Sequence, residues 1–426
     1  MERTNFSGFF ACKQNAVGKV KRIASVILLL FLFAGCSKDS AVTSATTTGN
    51  TYSQSSGTVT ETGKTYFSST DDLSAVKVTG GTYNISGSKI SSSGTTSSTD
   101  NSSFYGLNAV ILAYASSGTA IINSSGNKVT STGIGANGIF AYGTASITTT
   151  NDCFTQTGDG GHAIYCAGGG TIVVKNDTAV TSGGSSSTIA TDRGGGFITI
   201  TGGTYTANGS RSAAIYSTGT VTSTNATFTT TGAEALVIEG ANNITLNNCI
   251  VKCTYNKWGS LIYQSMSGDA SGTDGYLTMQ GGSFTYTGTA GGMFYNTNST
   301  AIISLSGVKL VNSCDTLIRC IKGSWGASTA TSGGITNLTA NGQTLTGLIY
   351  IDASSSFSLT LTSSSAYTGR INSANIAGSA KVTMDLSSTW TLTGNTYLTS
   401  LTDADTSYSN ISAGAYHLYV GGTKLL

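Results

Sequence analysis

From residue 74 onward the chain repeats one pattern of polar and apolar positions. A small or polar residue precedes a single large apolar one, and Thr, any residue, Thr or Ser, and Gly follow. Asn225-Ala226-Thr227-Phe228-Thr229-Thr230-Thr231-Gly232 is the clearest copy. The apolar slot holds Val129, Phe154, Tyr205, Phe228, Phe284, Leu345, Tyr367 and Trp390, with Val180, Ile250 and Leu310 in weaker copies. Most steps between slots are 22 to 26 residues. A fixed period of this length means one supersecondary unit stacked on itself.

Each period carries two more apolar runs. One reads Ile139-Phe140-Ala141-Tyr142, Ala163-Ile164-Tyr165, Ala214-Ile215-Tyr216 and Leu261-Ile262-Tyr263; the other alternates, as in Phe197-Ile198-Thr199-Ile200 and Ile244-Thr245-Leu246. Alternation of Val, Ile, Thr and aromatics between Gly, Ser and Asn marks short strands. Three strands per coil, with no helical period between them, predict an all-β fold. It is a single-stranded right-handed parallel β-helix of about a dozen coils, which at about 4.8 Å per coil would extend roughly 55 Å. A leucine-rich repeat is excluded, because it needs Leu at fixed offsets beside an Asn ladder.

Composition fits. The chain has 56 Gly and no Pro in 426 residues, and 9% of residues are charged. Proline would break the ladder of a strand paired on both sides. A disordered Ser/Thr stalk would not carry an apolar residue in every coil.

The first 35 residues read as an address. Lys19, Lys21 and Arg22 precede twelve apolar residues, 23–34, too short to span a bilayer and placed where a secretory core belongs. Removing residues 1–35 takes away five of the 21 basic and one of the 19 acidic side chains, leaving a net charge of −2. No basic patch remains to argue for nucleic acid. Residues 36–63 then read as a flexible Ser/Thr/Gly tether, 64–401 as the β-helix with an N-terminal cap, and 402–426 as C-terminal cap strands.

Six cysteines lie beyond Cys12 and Cys36: Cys153, Cys166, Cys249, Cys253, Cys314 and Cys320. Register argues against most pairings, and Cys314 with Cys320 is the one pair compatible with a disulfide across a turn. No metal-ligand spacing is present.

Chemistry is expected where the period breaks. Residues 265–275 and 322–332 both lengthen the turn after the second apolar run, and loops inserted at one turn of a solenoid share one edge. The scarce charges gather there: Asp192, Arg193, Glu239, Asp269, Asp274, Arg319 and Asp352, joined by Gln264, Asn296 and Trp325. This edge is the candidate ligand-binding face, a polar groove with an aromatic platform for a sugar chain. The alternative is that turns are where a β-helix places its polar residues.

Several segments resemble known proteins. Phe33-Ala34-Gly35-Cys36 is similar to a bacterial lipobox, which implies a signal peptide over 1–35, lipid on Cys36 and anchoring at the outer membrane or cell surface. From Ala75 to Trp390 the chain resembles the β-helix superfamily with the pectin-lyase-like fold, in particular its adhesin and autotransporter-passenger branch. The Gly202-Gly203-Thr204-Tyr205 and Gly281-Gly282-Ser283-Phe284 repeats carry that likeness. The resemblance implies an adhesin-like or structural surface protein, meeting a glycan or a host or neighbour-cell protein, with no cofactor. An alternative is a polysaccharide lyase or glycoside hydrolase of the same fold, and calcium enters only there. The polygalacturonase order of motifs is not reproduced by Asn151-Asp152 and Asp159-Gly160-Gly161-His162, and His162 is read as a surface ring at a strand start. A minor alternative is an ice or crystal-surface protein using outward Thr-x-Thr pairs such as Thr229 and Thr231, an array interrupted by Val251, Cys253 and Val311.

Overall fold

The computed structural model describes residues 49–324 and 333–426. They form a single-stranded parallel β-helix whose coils each contribute one strand to three sheets. The first sheet has 12 strands, from Tyr52–Gln54 to Leu348–Ile351, and holds the second apolar run of every repeat. The second has 14, from Thr58–Thr62 to Ser400–Asp403, and holds the alternating run. The third has 10, from Thr65–Ser68 to Lys309–Asn312, and holds the slot; a separate four-stranded sheet, Thr344–Thr346 to Ile411–Ser412, continues it.

The register explains the period. Val129 faces Phe154, Tyr205 faces Phe228, Leu345 faces Tyr367, and Tyr367 faces Trp390, so like side chains stack one rung apart. Val129, Phe154, Tyr205, Phe228, Phe284, Leu345, Tyr367 and Trp390 are fully buried in one continuous core, and Leu310 packs against it partly buried. Stability of this kind accumulates from contacts between neighbouring coils. The turn from the second to the third sheet needs one left-handed residue per coil. Gly126, Asn151, Asn176, Gly202, Asn225 and Asn248 supply it with φ between 51° and 68°. Gly and Asn are the residues that adopt this conformation at least cost.

Several details differ from the sequence reading. Phe154 stacks on Ala179 and Phe228 on Val251, so Val180 and Ile250 are one position out of phase and point outward. For the same reason Val251 and Cys253 face the core; the outward Thr column of the third sheet is interrupted by Val180, Lys252 and Val311. Strands begin at Tyr52, inside the stretch read as a tether to residue 63, and Tyr52–Gln54 with Thr58–Thr62 already belong to the first and second sheets. Cys314 and Cys320 are both free thiols, which removes the expected pair. At the C-terminal end, Leu418–Val420 pairs antiparallel with Thr423–Lys424 and so closes its sheet edge. The proposed signal segment, Cys36 and Trp325 lie outside the described residues.

Candidate functional site

Two excursions leave the coils and meet over the outward face of the first sheet. The sequence singled out one, the loop between Trp258–Tyr263 and Asp274–Gln280. The other is a helix, Thr99–Tyr105, inserted at the turn from the third to the first sheet. Ser98 caps its N-terminus, accepting the Asn101 N–H at 3.2 Å, and Gly106 ends it with φ 73°. A Cβ at Gly106 would come within 2.7 Å of both Leu112 and Phe140, so glycine lets the helix end lie flat on the sheet. Beneath it, Ala109, Leu112, Phe140, Tyr165, Ala167 and Ala190 form an apolar cluster separate from the core.

Acidic and phenolic groups converge where the two excursions approach each other. Tyr165 donates to Asp192 at 2.5 Å, and the Arg193 N–H donates to the same carboxylate at 2.7 Å. Glu239, 2% exposed, accepts from Tyr216, from Tyr263 at 2.8 Å, and from Ser265. Ser267 donates to Asp269 at 2.9 Å. Arg193 spans both excursions: its guanidinium lies 3.8 Å from the Phe104 ring centroid on the helix, and its Nη2 lies 2.8 Å from Asp269 Oδ1 on the loop. Burial pushes the Asp192 carboxyl up to about 7, and the neighbouring Asp269 and Glu239 charges add to the push against the Tyr165 and Arg193 hydrogen bonds.

The remaining expected residues do other things. Gln264, 2% exposed, donates to the Ala270 and Gly272 carbonyls at 3.1 and 2.6 Å and accepts the Met266 N–H at 2.9 Å, so it fastens the loop from below. Asn296 is likewise buried, donating to the Ile335 carbonyl at 2.8 Å. Asp352 is consumed as a turn cap by the Lys322 N–H at 2.8 Å and the Ser355 hydroxyl at 2.6 Å. Asp274 is exposed at a strand start and stands apart from the cluster. Arg319 lies farther along the same face, over Tyr350 at 4.9 Å and beside Trp258 at 5.9 Å, where Trp258 stacks on Tyr295 at 4.1 Å. His162 is packed rather than free: its Nδ1 accepts the Ser187 N–H at 3.0 Å, and burial lowers its pKa to about 4.

Sequence reasoning missed the aromatic part of the face. Tyr105, Tyr114 and Tyr142 form a connected group, with Tyr114 and Tyr142 stacked at 4.7 Å and Tyr105 tilted at 5.4 Å from Tyr142. With Lys77, Asn101, Leu107 and Leu112, Tyr105 and Tyr114 line a cleft of about 290 Å³ beside the helix. The signal was present for Tyr114 and Tyr142, which end the runs Ile111-Leu112-Ala113-Tyr114 and Ile139-Phe140-Ala141-Tyr142, but an aromatic beside Ile and Ala has the same pattern whether it faces in or out. Among the described residues, no group of three or more His, Cys, Asp or Glu is arranged to hold a metal ion.

The chain matches no family model, and no curated protein matches it. The architecture is consistent with the pectin-lyase-like superfamily at the level of a parallel β-helix solenoid of about fourteen turns.

Proposed function

We propose that this chain is an exported, lipid-anchored cell-surface β-helix, adhesin-like in use, that binds a glycan on the outward face of its first sheet. The observation that carries the reading is the cleft beside the helix, where Tyr105 and Tyr114, the latter stacked on Tyr142, stand together with Lys77 and Asn101 on an otherwise Ser/Thr-rich molecule. Aromatic faces with a few convergent polar groups are how concave sites hold sugars. Anchoring rests on the lipobox-like Phe33-Ala34-Gly35-Cys36 alone. Glycan-array binding of the chain from Ser37, compared with a Tyr105→Ala and Tyr114→Ala double variant, tests the reading. Binding lost with both rings supports it; binding that survives their removal sends the search to protein partners.

One observation favours polysaccharide cleavage as a second reading. Burial raises the Asp192 carboxyl to about 7 beside Glu239 and Asp269, the direction in which a general acid is tuned. Against it, Glu239 is buried and fully occupied by hydroxyl donors, and Asp269 is paired with Arg193. New reducing or unsaturated ends that disappear in Asp192→Asn would establish cleavage.

A further inference from the structure

The acids described above on the outward face of the first sheet are occupied. Glu239 is buried beneath hydroxyl donors, Asp192 accepts from Tyr165, and Asp269 is paired with Arg193. One cation on that face is not. Lys77 is the exposed middle residue of Val76–Val78 and lies between Ser53 and Leu112 in the outward column. Among the described residues, no carboxylate or carbonyl accepts from its ammonium.

Lys77 lines the cleft beside the helix, and so does Asn101, on the first turn of Thr99–Tyr105. The Asn101 carbonyl is used at the helix end, where it accepts the Leu107 N–H at 3.1 Å, while its side-chain amide makes no hydrogen bond among the described residues. The neighbouring acids do not offset Lys77. Asp71 accepts the Thr95 N–H at 2.8 Å and Asp72 the Ser97 N–H at 2.7 Å, and Asp100, exposed on the helix, is not part of the cleft lining. The cleft therefore presents one positive charge and one free amide among the rings of Tyr105 and Tyr114 and the side chains of Leu107 and Leu112.

We propose that this cleft selects glycans that carry an anionic group, a sulfate ester or a carboxylate, and that Lys77 reads that group. The proposal rests on the cleft being a glycan site and adds the class of glycan. A neutral sugar can stack on Tyr105 and Tyr114 but gives the ammonium no counter-charge. An oxyanion on the same ring receives a charge-assisted hydrogen bond, roughly twice as strong as a neutral one. Apolar walls keep away part of the screening water, which strengthens the pairing over that of a lysine on an open surface. The chain beyond residue 35 has a net charge of −2, so a preference for anions has to come from the cleft and not from the overall field. At about 290 Å³ the cleft is at the lower end of ligand cavities, which suits a short stretch of glycan.

The test is a glycan array on which sulfated, sialylated and uronate-containing glycans stand beside their neutral parents, probed with the chain from Ser37 and its Lys77→Met and Lys77→Arg variants. Lys77→Met keeps the apolar stem and removes the charge, whereas Lys77→Arg keeps the charge. The parent chain should bind acidic glycans about tenfold or more tightly than their neutral parents, and less tightly as salt rises. The preference should vanish in Lys77→Met and persist in Lys77→Arg. Whether the sulfated or the carboxylated glycans are retained identifies the group. An unchanged melting temperature shows that Lys77→Met still folds; if it does not, the neutral parents and the salt dependence carry the comparison. Equal binding of acidic glycans and neutral parents, or a preference that survives in folded Lys77→Met, overturns the proposal and leaves the glycan site standing. Absence of binding to every glycan removes the site and the proposal together.

Discussion

The outward faces of the first and second sheets are built on the same coils and the same rungs, yet they differ in every other respect. On the second sheet Thr199, Thr222, Thr245 and Thr278 stack rung on rung, and Thr339, Thr360 and Thr383 resume the column beyond Ser304. On the first, Phe140, Tyr165, Tyr216, Tyr295 and Arg319 share one column, roofed in part by a helix and a loop. A coil constrains what points in and leaves what points out free. Outward positions that abandon the repeat for aromatics, acids and excursions are therefore the ones that call for a function.

The largest effect should come from the scaffold common to both faces. Phe228 is fully buried between Tyr205 and Val251, and Phe228→Asp replaces packing with an unpaired buried charge. A loss of more than about 4 kcal/mol is expected in chemical denaturation, enough to unfold the middle coils and erase both faces. An unchanged unfolding midpoint would break the assigned register.

Glu239→Ala tests the first face alone. It strips the acceptor from Tyr216, Tyr263 and Ser265 and should cost about 2–3 kcal/mol, with faster amide exchange across residues 265–273. The matched change on the second face, Thr222→Ala, should stay within about 0.5 kcal/mol. Equal costs would mean that the cluster does not hold the loop.

Buried acids at the turn from the second to the third sheet, and Asp192 on the first, can be followed by their titration. Burial raises Asp152 to about 6 and Asp177 to about 7, and Asp192 stands at about 7. Such a carboxyl binds its proton more tightly folded than unfolded. Its stabilising contribution is complete below the unfolded value near 4 and is lost as pH rises through 6 to 7. The melting temperature should accordingly be higher at pH 5 than at pH 8. Asp177 also accepts the Asp152 N–H at 2.8 Å, with the Thr149 hydroxyl beside its carboxyl. Asp177→Asn keeps that acceptor without the charge, and should raise the pH 8 value and flatten the profile. A steeper profile in the variant would contradict the burial argument.

How much of this was legible depended on which constraint each residue obeys. Residues locked into the repeat, such as Phe154, Tyr205 and Trp390, announced the sheets and the coil count because stacking demands the same residue type at every turn. Phase failed at Ala179 and Val251, where a small or β-branched residue fills the inward position beside a larger outward neighbour, Val180 or Ile250. The turn holding the 264–273 loop was readable from the broken period, and Asp192, Arg193, Glu239 and Asp269 do meet there. Gln264 and Asp352 carry turn hydrogen bonds, and a polar residue that caps a turn has the same sequence signature as one that meets a ligand. The helix at Thr99–Tyr105 was missed because seven residues rich in Ser, Asp and Asn carry almost no apolar period. The break in the third sheet after Lys309–Asn312 accompanies a shortened corner, one residue at Gly347 against three at 313–315, which no pattern of apolar positions displays.

The most direct measurement is glycan-array binding by three forms of the chain from Ser37: the parent, the Tyr105→Ala and Tyr114→Ala variant, and a Thr222→Ala and Thr245→Ala variant. If the outward face of the first sheet is the binding face, parent and threonine variant should bind the same glycans with equal strength. The tyrosine variant, still folded, should lose about tenfold or more. Retained binding by the tyrosine variant together with loss in the threonine variant would move the site to the second sheet and contradict the assignment.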